Sequence, residues 1–346
     1  MKHSKVTEYS AAIAIAGLVL AGCSNTGSQF AAPSGATARG WVVEAYNGYN
    51  QYAYVRCADC RCLWGCNSGC GNSSKKAVGN EWVLVSKDCD GGGVAYGLAF
   101  AKENSDSKIA YAGFSKDTVG VAKWKNDRYA KAPTLTGLTG EPVGIASDLK
   151  GDVWVTNSPS TTISEFYRGA RFPSKTYTDS NLASLGYVAA DRRNDIYVEG
   201  QSRESGGIEV DELQAGGTFR PIVSSGQLGY TAGGLAAVVN NGKTGYLFVN
   251  DQGTANGPPT ITRWLLKGGK LTADGSFKYS GLDTALSVDP SGKDTNHVWA
   301  ANNVQRSSGF ETSGVEYAFP SGGVVASTPT TVSSTKSFGI AITEQP

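Results

Sequence analysis

Residues 144–157 have the sequence GIASDLKGDVWVTN, and this stretch decides the fold because versions of it recur along the chain. It contains a short run of small and apolar residues, a polar turn, and a second, larger apolar run. A strand, a tight turn and a second strand would produce this pattern. Similar motifs begin at residues 97, 187, 234 and 285, and a single strand of the first kind begins at residue 339.

Consecutive motifs begin 43 to 54 residues apart. Repeats of about 40–50 residues with several strands each are typical of propeller blades. Third strands are predicted at 118–124, 162–167, 207–212, 260–265 and 314–319. The chain has 45 glycines among 346 residues, which suits short strands joined by tight turns. The sequence therefore predicts an all-β, six-bladed β-propeller across residues 41–346.

The order of Gly144-Ile145-Ala146, then Asp148, a glycine turn and the run VWVTN resembles the NHL-repeat propellers. It is also similar to the gluconolactonase-type and virginiamycin-lyase-type propellers. The resemblance covers about residues 94–343 and implies a fold rather than an activity. The small residues have a physical reason, because the innermost strands crowd around a central channel where bulky side chains would not fit.

The last inner strand, at 339–342, has no chain after it to complete a blade. Residues 41–45 (WVVEA) resemble the second strands of the other motifs, and residues 52–56 are suited to a third strand. We therefore expect residues 41–45 to pair with residues 339–343. Such pairing would join the N- and C-terminal strands in one blade and remove the exposed edges of the ring.

The N-terminus has the parts of an export signal. Lys2, His3 and Lys5 form a basic start, and residues 11–20 (AAIAIAGLVL) are an uninterrupted apolar run. A run of this length is too short to span a bilayer, which requires about 20 residues, but it fits the apolar region of a cleavable signal peptide. Residues 1–22 are therefore predicted to be a signal peptide.

The tetrapeptide LAGC at residues 20–23 resembles the bacterial lipobox. This resemblance implies cleavage before Cys23, transfer of a lipid to its sulfur, and a location in the bacterial cell envelope. Ser24 follows the cysteine, which by the rule of that family favours the outer membrane in a Gram-negative cell. Residues 23–40 are predicted to be the lipidated cysteine and a flexible tether. The alternative is an ordinary signal peptide followed by a chance cysteine.

Six further cysteines lie close together in the sequence: Cys57, Cys60, Cys62, Cys66, Cys70 and Cys89. An exported compartment favours disulfides, and an even count fits three bridges. We predict that residues 57–89 form a disulfide-stapled, Cys-rich excursion from the first blade, between its third strand and residues 82–85. Two alternatives remain open, namely a zinc site of four thiolates and a redox pair of Cys57 and Cys60.

Charge and histidine content limit the classes of function. The formal net charge is +1 and there is no run of Lys or Arg, so nucleic acid is not an expected partner. The chain has two histidines, His3 and His297, and the first belongs to the predicted signal peptide. This leaves little for histidine-rich metal sites or for Ser-His catalysis.

Polar residues are predicted at one face of the propeller, around the mouth of the channel. This face carries the loops that enter the inner strands and those that leave the second strands. The predicted ligand-binding residues are Glu141, Asn157, Asp251, Asp283 and Asn302, with Asn250 and Asn303 beside them. The alternative is that they are turn residues that bond to the backbone. Asp148, Asp191 and Asp289 begin turns at the opposite face and are predicted to be structural.

Two functions are compatible with these observations. The first is a non-enzymatic binding module, without a cofactor, that presents loops and the Cys-rich segment to an envelope protein or glycan. The second is a metal-dependent lactonase or lyase with Glu141 and Asp283 at a divalent cation such as calcium. Gluconolactonase-type propellers hold their ion with several carboxylates and amides, whereas no residue directly before an inner strand of this chain is either. His297 begins a second strand, away from the mouth where a lyase needs its general base.

Overall fold

The computed structural model describes residues 38–46, 50–60, 77–87, 95–102, 108–114, 118–125, 128–168, 170–223, 232–240, 244–253, 258–267, 270–288, 294–307, 309–327, 331–333 and 337–344. All regular elements in these ranges are β-strands. The chain divides into the units Met1–Ala31 and Ala32–Pro346, and every described residue belongs to the second unit. Within the described ranges, no helix offers the length and apolarity needed to cross a membrane.

The strands pair antiparallel in sheets that follow one another along the chain. The first sheet contains β1 (Ala38–Tyr46), β2 (Asn50–Cys60) and β3 (Ala77–Lys87), with β25 (Ser337–Glu344) on the free side of β1. The second sheet contains β4 (Ala95–Lys102), β5 (Lys108–Phe114), β6 (Thr118–Lys125) and β7 (Arg128–Leu135). The third sheet contains β8 (Glu141–Ser147), β9 (Val153–Ser158), β10 (Thr162–Phe166) and β11 (Lys175–Thr178).

The remaining sheets repeat this order. The fourth sheet contains β12 (Leu182–Ala190), β13 (Ile196–Ser202), β14 (Ile208–Leu213) and β15 (Phe219–Val223). The fifth sheet contains β16 (Ala232–Asn240), β17 (Thr244–Asp251), β18 (Thr260–Lys267) and β19 (Lys270–Lys278). The sixth sheet contains β20 (Thr284–Ser287), β21 (His297–Arg306), β22 (Gly309–Ala318) and β23 (Gly323–Ser327), and β24 (Thr331–Ser333) also pairs with β22.

One edge strand of each sheet contacts the corresponding edge strands of its two neighbours, in the order β4, β8, β12, β16, β20, β25 and back to β4. Because each strand is followed by its antiparallel neighbour, every sheet extends outward from this inner set of strands. The fold is therefore all-β and propeller-like, as the repeat predicted.

The predicted pairing between the two ends of the chain is confirmed. In the register of β1 and β25, Trp41 pairs with Ala341 and Val43 with Gly339. The predicted boundary of the tether is wrong by three residues, because β1 begins at Ala38, which pairs with Glu344. Residues 38–40 are small or polar and carry no apolar pattern, so their strand conformation depends on pairing with β25.

The apolar residues of adjacent sheets meet face to face. One cluster joins Trp154 and Ile163 of the third sheet with Leu185, Val188 and Val198 of the fourth. All five side chains are almost completely buried, and burial of each contributes roughly 1.5–3 kcal/mol relative to exposure. These contacts between sheets take the place of a single central core.

The inner strands approach one another closely where the sequence has glycine. A Cβ on Gly144 of β8 would lie 2.7 Å from the Cα of Tyr187 in β12. A Cβ on Gly234 of β16 would lie 2.7 Å from the Cα of Ala285 in β20, and Gly234 also has a positive φ of 146°. The predicted crowding of the inner strands is confirmed at both positions.

Candidate functional site

The inner strands give the propeller two distinct ends. We call the end where inner strands begin the mouth end, and the end where they finish in polar turns the turn end. Neighbouring inner strands point the same way, because Gly144 lies beside Tyr187 and Gly234 lies beside Ala285, which are equivalent positions of the repeat. Each end therefore gathers equivalent residues from successive sheets.

At the turn end, two aspartates organise the turn between the first and second strands. Asp148 Oδ1 accepts the N–H groups of Lys150 and Asp152 at 2.9 and 3.0 Å, and its Oδ2 accepts the indole N–H of Trp154. Asp191 Oδ1 accepts the N–H groups of Arg193 and of residue 195 in the same way. The predicted structural role of these two aspartates is confirmed, whereas Asp289 lies outside the described residues.

Asp191 has an additional partner that Asp148 lacks. Its Oδ2 accepts hydrogen bonds from the Arg193 guanidinium at 2.8 Å and from the Tyr197 hydroxyl at 3.3 Å. The fourth residue of each turn has a positive φ, which is 85° at Gly151 and 65° at Asn194. Asparagine tolerates this conformation better than most residues, so the two turns have the same shape with different sequences.

Toward the mouth end, buried polar side chains on the second strands bond to the next sheet. Thr156 of β9 donates to the carbonyl of Gly186 at 2.6 Å and accepts the N–H of Gly144. Asn250 of β17 occupies the equivalent position and donates to the backbone carbonyl of Asp283 at 2.9 Å. These side chains therefore join neighbouring sheets around the ring.

Glu199 of β13 occupies the same position, and the prediction of site residues missed it. Its Oε2 accepts the N–H of Gly234 at 3.2 Å, and the side chain is fully buried. Its Oε1 has no hydrogen-bond partner in the part of the chain that the structure describes. Burial, with a smaller contribution from nearby Asp251, raises the pKa of Glu199 to about 8. In the sequence, Glu199 could have been recognised as a carboxyl residue at the position that Thr156 and Asn250 occupy in other repeats.

Asp283 lies at the centre of a second buried group at the mouth end. Asn302 donates from Nδ2 to Asp283 Oδ1, and the Tyr317 hydroxyl also contacts this carboxyl. Asp283 Oδ2 is without a hydrogen-bond partner among the described residues. Burial raises the pKa of Asp283 to about 7, although the bonds from Asn302 and Tyr317 act in the opposite direction. At neutral pH this carboxyl therefore holds its proton for a large part of the time.

Asn250 connects this group to the fifth sheet. It donates to the Asp283 backbone, while its own Oδ1 accepts the hydroxyl of Tyr279 at 2.6 Å. Burial first, and the charge of Asp283 second, raise the pKa of Tyr279, so its hydroxyl keeps its proton and remains a donor. Asn250, Tyr279, Asp283, Asn302 and Tyr317 together form the candidate site, which we call the Asp283 network.

The structure corrects where the other predicted mouth residues lie. Glu141, Asn157, Asp251 and Asn302 are strand residues rather than loop residues, because the strands continue past the apolar motifs. Their backbones pair accordingly: Glu141 is opposite Ser158, and Asp251 is opposite Thr260. Asp283 alone of the five precedes its strand, as predicted.

The predicted set is brought together only in part. Asp283 and Asn302 are in direct contact, whereas Asn157 is fully buried in its own sheet, with Nδ2 bonded to Thr162 and Ser164. Asp251 accepts the N–H of Gly253 at 2.8 Å within its own loop, and Glu141 is exposed. The alternative role of bonding to the backbone therefore applies to Asn157 and to Asp251. Within the described ranges, no three His, Cys, Asp or Glu side chains are grouped so that they would hold a metal ion.

His297 begins β21 at the turn end, as predicted, and its Nδ1 contacts Asp294 Oδ2. Two cysteines of the predicted Cys-rich segment, residues 57–89, are described by the structure. Cys57 and Cys60 belong to β2, where they pair with Glu81 and Ala77 of β3, because the β2–β3 hairpin extends into the cysteine motif. The other cysteines of interest lie outside the described residues, namely Cys23, Cys62, Cys66, Cys70 and Cys89.

Fold and site together define the class of protein as an all-β, propeller-like protein with polar joints between its sheets. No protein-family model matches the chain, and no curated protein is significantly similar to it in sequence. Among solved structures, hydrazine synthase from Kuenenia stuttgartiensis is similar with a TM-score of 0.49 and 13% identity, over 90% of this chain and 92% of that one. A similarity of this degree carries no argument about activity.

Proposed function

We propose that the chain is a lipid-anchored, non-enzymatic binding protein of the bacterial cell envelope, built on a closed six-bladed propeller of the NHL type. The observation that carries the binding role is the use of the mouth-end polar groups. Thr156, Asn250 and Asp283 are buried and bonded between sheets, so they stiffen the ring. A rigid ring that holds exposed loops in fixed positions suits recognition of a folded protein or a glycan.

Closure of six blades is the first part of the proposal that can be tested. The order of contacts among the inner strands and the pairing of β1 with β25 support it. Deletion of residues 337–346 would remove β25 and expose an edge of β1 and the faces of both neighbouring inner strands. We expect the shortened chain to lose its cooperative thermal transition. A transition at the wild-type temperature would contradict closure.

The lipid anchor is tested by expression of the full chain in a bacterium supplied with a labelled fatty acid. Label should enter the wild-type protein and be absent from the Cys23→Ser variant, which has the same signal peptide. Cys57→Ser is the matched control and should keep the label. Unlabelled wild-type protein with normal export would identify an ordinary signal peptide instead.

Binding is tested by cross-linking the anchored protein in intact cells and identifying the attached molecules. Exposed mouth-end side chains such as Glu141 and Gln201 are the ones to change to alanine. Loss of a specific cross-linked partner in these variants, but not in Lys270→Ala at the opposite end of the outer strand β19, is the expected result. A partner that cross-links equally to all variants would place binding elsewhere.

A metal-dependent lactonase or lyase is the second candidate function. It is favoured by the mouth-end carboxyl groups of Glu199 and Asp283, each of which has a buried oxygen without a hydrogen-bond partner among the described residues. Strongly raised pKa values are common at functional sites, although buried structural groups also have them. Calcium should raise the thermal transition of wild-type protein but not of Asp283→Asn if this candidate is right. No shift with calcium, magnesium or zinc would remove it.

A further inference from the structure

Exposed cationic and apolar side chains follow β8 and β10 of the third sheet, two strands that end at the turn end. This basic–aromatic patch consists of Leu149 and Lys150, after β8, and Tyr167, Arg168, Arg171 and Phe172, after β10. The exposed fractions are 58% for Leu149, 44% for Tyr167 and 65% for Phe172. Three large apolar side chains with this exposure, beside three cations, make an unusual surface for a protein that is stable on its own.

Hydrogen bonds hold the two parts of the patch together. The backbone N–H of Arg168 donates to Asp152 Oδ1 at 2.9 Å, and the Arg168 side chain lies against Gly151 in the turn after β8. The carbonyl of Arg171 accepts the N–H of Thr136 at 2.9 Å, which fixes the connection after β10 to the preceding sheet. The patch is therefore a defined surface.

The acidic side chains of the third sheet near the patch are directed into the protein, while Asp195 at the neighbouring turn is 40% exposed and paired with Arg193. Asp148 is buried and bonded to Lys150 N–H and to Trp154, while Asp152 accepts the Arg168 backbone. Glu165 is buried and accepts the hydroxyl of Tyr177 at 2.7 Å. The charges that this surface presents to solvent are those of Lys150, Arg168 and Arg171, with Lys175 beside Tyr167 and the Arg193–Asp195 pair at the neighbouring turn, so cations are in excess.

The start of β1 lies at the same end of the propeller. Ala38 pairs with Glu344, the last residue of the inner strand β25, and inner strands end at the turn end. Leu149 and Lys150 directly follow the end of another inner strand, β8. A chain segment that leads from Cys23 to Ala38 therefore reaches the ring at the end that carries the patch.

We propose that the basic–aromatic patch rests on an anionic lipid bilayer and orients the propeller with its turn end toward the membrane. The cations complement anionic headgroups, each contributing roughly a fivefold gain in binding. Tyr167 and Phe172 are suited to the boundary between headgroups and acyl chains, where aromatic side chains concentrate. The orientation rests on the proposed anchor at Cys23, whereas the affinity of the patch for lipid does not.

Vesicle co-sedimentation of the full chain carrying Cys23→Ser measures how strongly the patch binds a bilayer when no lipid is attached to residue 23. The double variant Arg168→Glu/Arg171→Glu should bind vesicles of phosphatidylglycerol and phosphatidylcholine at least tenfold more weakly than the parent. Binding to phosphatidylcholine alone should change little, and higher salt should reduce the difference between the two vesicles. The control Lys270→Glu/Lys278→Glu makes the same charge change on the outer strand β19 and should bind like the parent.

A second pair of variants tests the apolar component. Phe172→Ser should weaken binding to both kinds of vesicle, whereas Val324→Ser, at a residue that is 64% exposed in the sixth sheet, should not. An unchanged thermal transition in each variant verifies that the fold is intact. Equal binding by the patch variants and their controls would overturn the proposal. Fatty-acid labelling with Cys23 intact separates this result from failure of the anchor.

Discussion

Buried carboxyl groups have more hydrogen-bond donors at the turn end of the inner strands than at the mouth end. At the turn end, Asp148 and Asp191 each accept several N–H donors, and Asp191 also faces the Arg193 guanidinium. At the mouth end, Asp283 and Glu199 are buried with few donors, and one oxygen of each has no partner among the described residues. Burial raises the pKa of Asp148 as well, but hydrogen bonds from Trp154 and the backbone oppose it, whereas the deeper burial of Glu199 and Asp283 raises their pKa values to about 8 and about 7.

Packing differs between the ends as well. Near the mouth end, Gly144 and Gly234 let backbones approach, whereas the turn-end Gly151 faces only the flexible side chain of Arg168. Gly144→Ala should therefore lower the free energy of unfolding by about 3 kcal/mol, because the backbone of β12 cannot move aside. Gly151→Ala should cost about 1 kcal/mol, the cost of a positive φ without steric overlap.

Urea denaturation of both variants checks this difference. Gly206→Ala is a suitable reference, because Gly206 has a positive φ of 73° and no atom within 4 Å of an added Cβ. Equal losses for Gly144→Ala and Gly206→Ala would show that the inner strands can separate without cost. The contrast in packing between the two ends would then be wrong.

Replacing a carboxyl group by an amide of the same shape should lower stability more at the turn end than at the mouth end. Asp191→Asn turns an acceptor into a donor facing Arg193 and Tyr197, so the free energy of unfolding should fall by about 2–3 kcal/mol. Asp283→Asn keeps the acceptor for Asn302 and replaces a group that already carries a proton, so a change below about 1 kcal/mol is expected at pH 6. Denaturation of both variants at that pH provides the measurement, and equal losses would contradict the comparison.

Two buried carboxyl groups at the mouth end should make stability depend on pH. Glu199 and Asp283 have raised pKa values of about 8 and about 7. An acid with a raised pKa in the folded protein stabilises the fold below its ordinary pKa, and that stability is lost as the pH rises through the folded value. Between pH 5 and 7, each group should lower the free energy of unfolding by up to about 1.4 kcal/mol per pH unit.

Asp283→Asn should remove the contribution of one group from this slope, and Glu199→Gln should remove that of the other. Thr156→Val removes no titratable group, so it is the control and should leave the slope unchanged. Stability that rises between pH 5 and 7 in the wild-type protein would show that the mouth-end carboxyl groups are ionised in the fold.

The smallest expected effect is at Thr156, an uncharged side chain whose hydrogen bonds join the third and fourth sheets. Thr156→Val keeps the shape of the side chain but removes its bonds to Gly144 N–H and to the Gly186 carbonyl. The free energy of unfolding should fall by about 1 kcal/mol, without any change in its pH dependence, because no charge is involved. Thermal unfolding at pH 5 and pH 7 tests both points. A pH-dependent loss would mean that Thr156 is coupled to the carboxyl groups of the mouth end.

The inner and second strands could be predicted because they are apolar, repeat at regular spacing and start turns with aspartate. The outermost strands were not predicted, and β11 and β19 show the reason. Both are mostly exposed, so their side chains carry no alternation that distinguishes them from loops. Their strand conformation comes from pairing with β10 and β18 instead.

The candidate site was predicted less completely than the fold. Asp283 and Asn302 were identified because both are polar residues near strand ends in the repeat. Tyr279 and Tyr317 were not, since nothing in the sequence indicates that their hydroxyls turn toward Asn250 and Asn302. Glu199 was missed because it directly follows the apolar run of residues 196–198, and nothing in the sequence indicates that its side chain turns toward the next sheet.

The pairing of β1 with β25 has a consequence for how the protein matures. Ala38 and Glu344 are partners although they are about 300 residues apart in the chain. Pairings of such long sequence separation form slowly, because the ends of a long segment must first meet. No fragment that stops before β25 holds both halves of the first sheet. A chain emerging from a ribosome or a translocation pore therefore has to wait for its final strand before the ring can close.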